Sequence, residues 1–218
     1  MVVVFDLDDT LYKEIDFLNS GFRVISHNVA MQDGLDADEV YKRMVAIYTS
    51  GENAFVTIKE EFGITASVDD MICLYRSHSP DIRLENEVVD LLDYLRLNGH
   101  NLGLLTDGRG FTQRNKIKSL GLDSFIAPLD IVISEEFGSE KPDQRNYSYF
   151  MNRYPGNKYL YVGDNIKKDF LAPNQLGWQT VCLRADERNI HKQDVALDEI
   201  YMPHTTISNI QELKRIIK

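Results

Sequence analysis

Cysteine is scarce in this 218-residue chain: there is only Cys73 and Cys182, far apart and outside any CxxC pair. That argues against a disulfide framework and a cysteine-built zinc site, and it fits a reducing cytosol. Long apolar runs are missing as well. None approaches the ~20 residues that a membrane helix needs, so no membrane span is expected. The N-terminus has no basic leader and runs straight into what reads as a core strand, which predicts no secretory signal and a cytoplasmic chain. Positive charge is in deficit, with 24 lysines and arginines against 34 aspartates and glutamates and a net charge of −10. Nucleic-acid polymers and anionic membranes attract cationic surfaces, so neither is an expected partner. A small anionic substrate held at one local site is not excluded. The five histidines show no HxxxH or similar spacing, which argues against a histidine-held metal. No segment repeats at a fixed period or is low in complexity.

What is present is a globular balance, 43% hydrophobic and 27% charged, with enough length for one large domain or two unequal ones. Short apolar runs recur, each followed by a turn: VVVF (2–5), LGLLT (102–106), DIVIS (130–134), KYLYVGD (158–164) and QTVCLR (179–184). Continuous rather than alternating apolarity predicts strands buried on both faces of a parallel sheet. Helical patterns separate the later runs. Residues 86–99 place Val88, Leu91, Leu92 and Leu95 on one face and end at Asn98-Gly99, a C-cap signal. Further helices are expected over 111–121, over 142–154 with Pro142 at the entry, and over 166–177, interrupted by Pro173. Strand–helix alternation of this kind predicts an α/β class with a doubly wound parallel sheet. Between about Lys13 and Asp81 no strand is evident, and four amphipathic helical stretches fill the interval. A strand–helix–strand crossover needs far fewer residues. The expectation is an α/β core of residues 1–12 and 85–218 with an all-helical insertion, 13–84.

The first strand runs into three aspartates, Asp6, Asp8 and Asp9, in VVVFDLDDTLY. In an extended chain residues two apart point the same way, which puts Asp6 and Asp8 about 6.7 Å apart on one side. Ligands of open α/β sheets gather beyond the carboxyl ends of the strands. A divalent cation there would relieve the repulsion, and Mg²⁺ favours one or two carboxylates plus substrate phosphate. Taken alone, the cluster is as consistent with Asp8, Asp9 and Thr10 beginning a turn. Other strand ends add weight. LLTDG (104–108) places Thr106, Asp107 and two nearby glycines before a helix, where backbone amides can cradle a phosphate. SEKPD (139–143) offers Lys141, and VGDNIKKD (162–169) offers Asp164 and Asp169. Singly, these would read as a loop cap, a solvated lysine and an N-cap.

In this order, and all at expected strand ends, they resemble the haloacid dehalogenase-like hydrolase superfamily. FDLDDT is similar to its DxDx[TV] first motif, Thr106 to the second, Lys141 to the third and GDNIKKD to the GDxxx(x)D fourth. The likeness covers the whole chain, since the helical insertion resembles the family's cap. It implies a Rossmann-like core and hydrolysis of a small phosphomonoester through an aspartyl-phosphate on Asp6. Asp8 would be general acid and base. Asp6, Asp164 and the Asp8 backbone carbonyl would hold Mg²⁺. Lys141 would neutralise Asp6 and the phosphoryl oxygens, and Thr106 and the Asp107 amide would bind those oxygens. Asp169 would order metal-bound water or hold Lys141. An aspartate at residue 8 fits a phosphatase or phosphomutase rather than a dehalogenase. DLDDT in place of DxDG favours the phosphatase, leaving a phosphotransferase or a non-catalytic binder as alternatives.

A general acid must hold a proton, so crowding by carboxylates is expected to raise the Asp8 pKa. Arg114, Lys116 and Lys118 read as the wet face of a helix. Tyr147, Phe150, Met151 and Tyr154 read as a core stripe. Trp178 is expected to pack at a strand entrance, and residues 207–218 to form a closing helix with Ser208 as its cap.

Overall fold

The computed structural model describes residues 1–190, 193 and 197–217. Strand β1 (Val2–Phe5) is followed by helices α1 (Glu14–Asp33), α2 (Ala37–Thr49), α3 (Ala54–Phe62), α4 (Val68–Ser77) and α5 (Asn86–Leu97). Then come β2 (Asn101–Thr106), α6 (Gly110–Ser119), β3 (Ile131–Ile133), the one-turn α7 (Ser134–Phe137) and α8 (Gln144–Arg153). The chain ends through β4 (Tyr159–Gly163), α9 (Leu171–Gln175), β5 (Gln179–Leu183), β6 (Thr205–Ile207) and α10 (Leu213–Ile216). It divides into two compact units, Met1–Ile15 with Arg83–Lys218, and Asp16–Ile82. Among the described residues no helix is long and apolar enough to cross a membrane.

In the first unit all six strands pair in parallel, in the order β3-β2-β1-β4-β5-β6. The α/β doubly wound class is therefore as the apolar runs predict. The chain steps outward from β1 to β3, then returns to the other side of β1 as β4. The reversal between β1 and β4 is a topological switch point, where ligands of open sheets collect. Alternation along β1 sends Val2 and Val4 to one face and Val3 and Phe5 to the other, and all four are fully buried. Val2 and Val4 join a cluster with Tyr147, Phe150, Tyr161 and Trp178. Tyr147 and Phe150 are the fully buried members of the α8 stripe, with Met151 and Tyr154 packed at its margin. Trp178 stacks on Tyr159 at 4.9 Å just before β5. Helix α5 buries Leu91, Leu92 and Leu95 completely. Gly103 faces Phe150, and a Cβ there would lie 2.6 Å from the ring. The strand needs a glycine at this point because the aromatic rests on its backbone.

The second unit is helical throughout. Its core is Phe22, Ile25 and Val29 of α1, Val40, Met44 and Ile47 of α2, Ile58 of α3 and Met71 of α4. Local chemistry sets the ends: Asp36 and Asn53 accept from the first backbone amides of α2 and α3, and Ser67 with Asp70 forms a capping box on α4.

Four local expectations are corrected. The 130–134 run yields only Ile131–Ile133, because Asp130 closes a 3-10 turn and its carboxylate accepts from Arg153 (2.5 Å) and Tyr154 (2.8 Å). Pro142 does not enter α8; Asp143 caps it by accepting from the Arg145 amide. The 166–177 stretch is helical only over Leu171–Gln175, since residues 164–169 turn around the Asp169 carboxylate. The closing helix is broken into the short edge strand β6, a 3-10 turn and the one-turn α10, with Asn209 rather than Ser208 as the cap. Its final residue, Lys218, lies outside the described residues.

Gly103→Ala is expected to lower stability by about 1–3 kcal/mol through overpacking. The loss should shrink when Phe150 is also shortened to leucine, as a double-mutant cycle by denaturant unfolding will show. Equal losses in both backgrounds would contradict the contact.

Candidate active site

Strand β1 stops at Phe5, and the Asp6 amide still donates to the Val162 carbonyl at 2.8 Å, which fixes Asp6 against β4. From Leu7 the chain turns: the Thr10 and Leu11 amides return to the Leu7 carbonyl, and Asp9 adopts a left-handed φ of 56°. The extended-strand rule therefore holds to Asp6 and no further. Asp9 is structural. Its carboxylate accepts from the Glu14 amide (3.0 Å), at the head of α1, and from the Ile190 amide (2.9 Å). The chain thus does turn at Asp8, Asp9 and Thr10, and the Asp9 carboxylate is the one that serves the turn.

Asp6, Asp164 and Asp169 converge, each offering a carboxylate oxygen within 4.8 Å of the others. Lys141 reaches between two of them, donating to Asp6 Oδ1 and Asp169 Oδ1 at 2.7 Å each, and to the Tyr161 hydroxyl at 3.3 Å. Far from being a solvated lysine, it is 6% exposed. The second oxygen of Asp169 accepts the Asp164 and Asn165 amides at 3.1 and 2.8 Å. This return contact explains Gly163, where a Cβ would stand 2.3 Å from Asp169 Oδ2. With both oxygens engaged, Asp169 holds Lys141 and the 164–165 turn. Asp6 and Asp164 each keep an oxygen that accepts nothing among the described residues.

Thr106 and Asp107 close the β2 side. Asp107 Oδ1 accepts the Lys141 amide (3.0 Å) and Oδ2 the Lys168 ammonium (3.2 Å). Two other amides of this loop are engaged inside the protein: Gly108 donates to Ser134 Oγ and Gly110 to Glu135. A cavity of about 150 Å³ joins Asp6, Asp8, Thr106, Asp107, Lys141 and Asp164, with Glu14, Asn165 and Lys168 added by the structure.

The carboxylates divide electrostatically. Burial raises Asp6 to about 7, with Lys141 opposing and Asp169 reinforcing the shift. Burial, then repulsion from Asp6 and Asp169, raises Asp164 to about 9. Burial, then Asp8, raises Glu14 to about 8. Lys141 is held well above its ordinary value, because Asp169 and Asp6 outweigh the opposing effect of burial. Asp8 moves the opposite way to expectation. Burial pushes it up, but Lys116 at 2.7 Å, with hydrogen bonds from Tyr12 and Gln113, brings it below the ordinary carboxylate value. This also corrects the wet-face reading of α6. Arg114 and Lys118 are exposed, whereas Lys116 is 4% exposed. The missed signal was spacing: Gln113, Lys116, Ile117 and Leu120 recur at helical intervals on one buried face.

The donor set of Asp6 and Asp164 suits a hard divalent cation. It is all carboxylate oxygen, and it holds protons because the acids are buried first and crowded by like charge second.

The family model described as haloacid dehalogenase-like hydrolase matches residues 3–183. Glyceraldehyde 3-phosphate phosphatase of Methanocaldococcus jannaschii is 27% identical over 231 residues, covering 99% of this chain and 96% of that protein. Pyrimidine 5'-nucleotidase YjjG of Escherichia coli is 25% identical over 230 residues, covering 99% and 96%. Among solved structures, the magnesium-bound HAD-hydrolase YfnB of Bacillus subtilis superposes with a TM-score of 0.66 at 19% identity, covering 100% of this chain and 98% of that one.

In the folded chain Asp6, Glu14 and Asp164 keep protons that unfolded carboxylates have lost. Their contribution to stability is complete below about pH 4 and disappears as pH rises through about 7 to 9. A cation that replaces those protons should therefore stabilise more at high pH. Melting midpoints with Mg²⁺ and with chelator should differ more at about pH 8.5 than at about pH 6. An equal difference at both, or none, would contradict this.

Proposed function

Because this chain belongs to the haloacid dehalogenase-like hydrolase family, we propose that it is a Mg²⁺-dependent phosphatase of small phosphomonoesters. The observation that carries the reading is the convergence on one cavity of three strand ends, those of β1, β2 and β4, and of the loop after α7, each supplying a chemically competent side chain. Two full-length relatives are named for a triose phosphate and for pyrimidine nucleotides, which supports a phosphorylated metabolite as substrate. Choice among such metabolites is assigned to the helical residues 13–84, as the family likeness implies. Both cysteines are free thiols, as suits a cytoplasmic enzyme.

Asp6 and Asp164, with the Asp8 backbone carbonyl, would hold Mg²⁺, which neutralises charge on the transferring phosphoryl group. Asp6 attacks phosphorus, and the ester P–O bond breaks with its electron pair passing to the leaving oxygen. Asp8 delivers the proton that makes this oxygen an alcohol. Water then attacks the aspartyl-phosphate and gives its proton to Asp8. The Asp6–phosphorus bond breaks, and its electrons return to the carboxylate. Lys141 fixes the Asp6 oxygen that it bonds and offsets charge on the phosphoryl oxygens, which Thr106 and the Asp107 amide bind. Since Lys116 keeps Asp8 ionised in the resting site, Asp8 has to take up a proton before the ester bond breaks.

A panel of phosphomonoesters with and without Mg²⁺ tests the reading. Free phosphate should appear only with the metal, and Asp6→Asn should lower kcat at least about 10³-fold with the fold intact. Isomerised product without free phosphate would contradict hydrolysis. Unchanged turnover in Asp6→Asn would refute the covalent route.

A further inference from the structure

We propose that Gln113 and Lys116 are positioning residues for proton transfer at Asp8, an inference that rests on the phosphatase reading above. An ionised carboxylate offers about four acceptor positions. On Asp8, Oδ1 accepts from the Lys116 ammonium at 2.7 Å and from the Tyr12 hydroxyl at 2.5 Å. Oδ2 accepts from Gln113 Nε2 at 3.0 Å. Among the described residues nothing further donates to this carboxylate. One acceptor position, on Oδ2, is left to carry the transferred proton.

Gln113 also ties that position to the phosphoryl group. Its Nε2 donates to Thr106 Oγ1 at 2.6 Å, so Thr106 accepts from inside the protein and keeps its own O–H for a phosphoryl oxygen. A single side-chain amide thus sets both the phosphoryl contact and the acid. Gln113 is 2% exposed and Lys116 4%, so bulk water has little access to replace either donor. Glu14 stands 4.0 Å from the Lys116 ammonium, farther than the 2.7 Å to Asp8.

The competing account is that Lys116 merely neutralises a buried acid and stabilises the fold. Leaving-group dependence separates the two. General-acid help matters most when the departing oxygen is strongly basic, as in an alkyl ester, and little when it is a nitrophenolate. A structural defect lowers both rates together, whereas a misplaced acid lowers the alkyl rate more.

The experiment compares kcat/KM for p-nitrophenyl phosphate and for the alkyl phosphate that the wild type turns over best. In Lys116→Met and in Gln113→Met the alkyl-to-aryl ratio should fall at least about tenfold, and Lys116→Arg, which keeps a cationic donor, should recover part of it. If circular dichroism shows Lys116→Met unfolded, Gln113→Met, with its ion pair intact, decides alone. Parallel losses on both esters, or an unchanged ratio, overturn the positioning role. A wild type inactive on every ester overturns the phosphatase reading itself, and this inference with it.

Discussion

The site depends on a buried ammonium shared by two carboxylates. Lys141 lies between Asp6 and Asp169 at 2.7 Å from each. Taking a charged amine out of water costs several kcal/mol unless partners surround it, and removing one partner of a buried pair leaves the rest uncompensated. The neighbouring structure serves that contact. Asp169 is anchored by the amides of the turn it supports, Gly163 stays bare to admit it, and Asp107 grips the Lys141 backbone. Strands β1 and β4 run directly into Asp6 and Asp164, and β2 ends on Thr106. Parallel pairing across the switch point is what brings positions 6, 106 and 164 together.

Identical side chains acquire different properties here through their surroundings. Asp6 and Asp164 are buried, with Asp169 adding negative charge, so both hold protons more tightly than free carboxylates. Asp8, two residues from Asp6, has a lysine, a tyrosine and a glutamine to itself and remains ionised. The first pair is poised to exchange protons for a cation. The second carboxylate is oriented and left one open position. In the proposed reaction both states have to change: Asp6 gives up its proton to act as nucleophile, and Asp8 takes one up to act as acid.

Much of this was legible in the residues. Continuous apolar runs mark the parallel strands, and Asp6, Thr106 and Asp164 fall at strand ends as expected, whereas Lys141 reaches the cavity from the loop after α7 rather than from the end of β3. The helical interval was evident because no strand pattern interrupts it. What stayed hidden is tertiary. Lys116 looked solvated because charge dominates a reading of composition, although its spacing with Ile117 and Leu120 places it on the buried face. The pKa direction of Asp8 depended on that lysine, 108 residues away. Strand β6 is not legible in the residues, because three positions at an edge, only Ile207 of them buried, form no apolar run. The segment before α9 departs from helix because a distant-seeming acid, Asp169, folds back on its own turn.

The most direct measurement is acid quenching of the working enzyme followed by peptide mapping of the phosphorylated residue. The account predicts a phosphoryl group on Asp6 in the wild type and its loss in Lys141→Met. A phosphorylated residue elsewhere, or full labelling of Asp6 without the lysine, would contradict it.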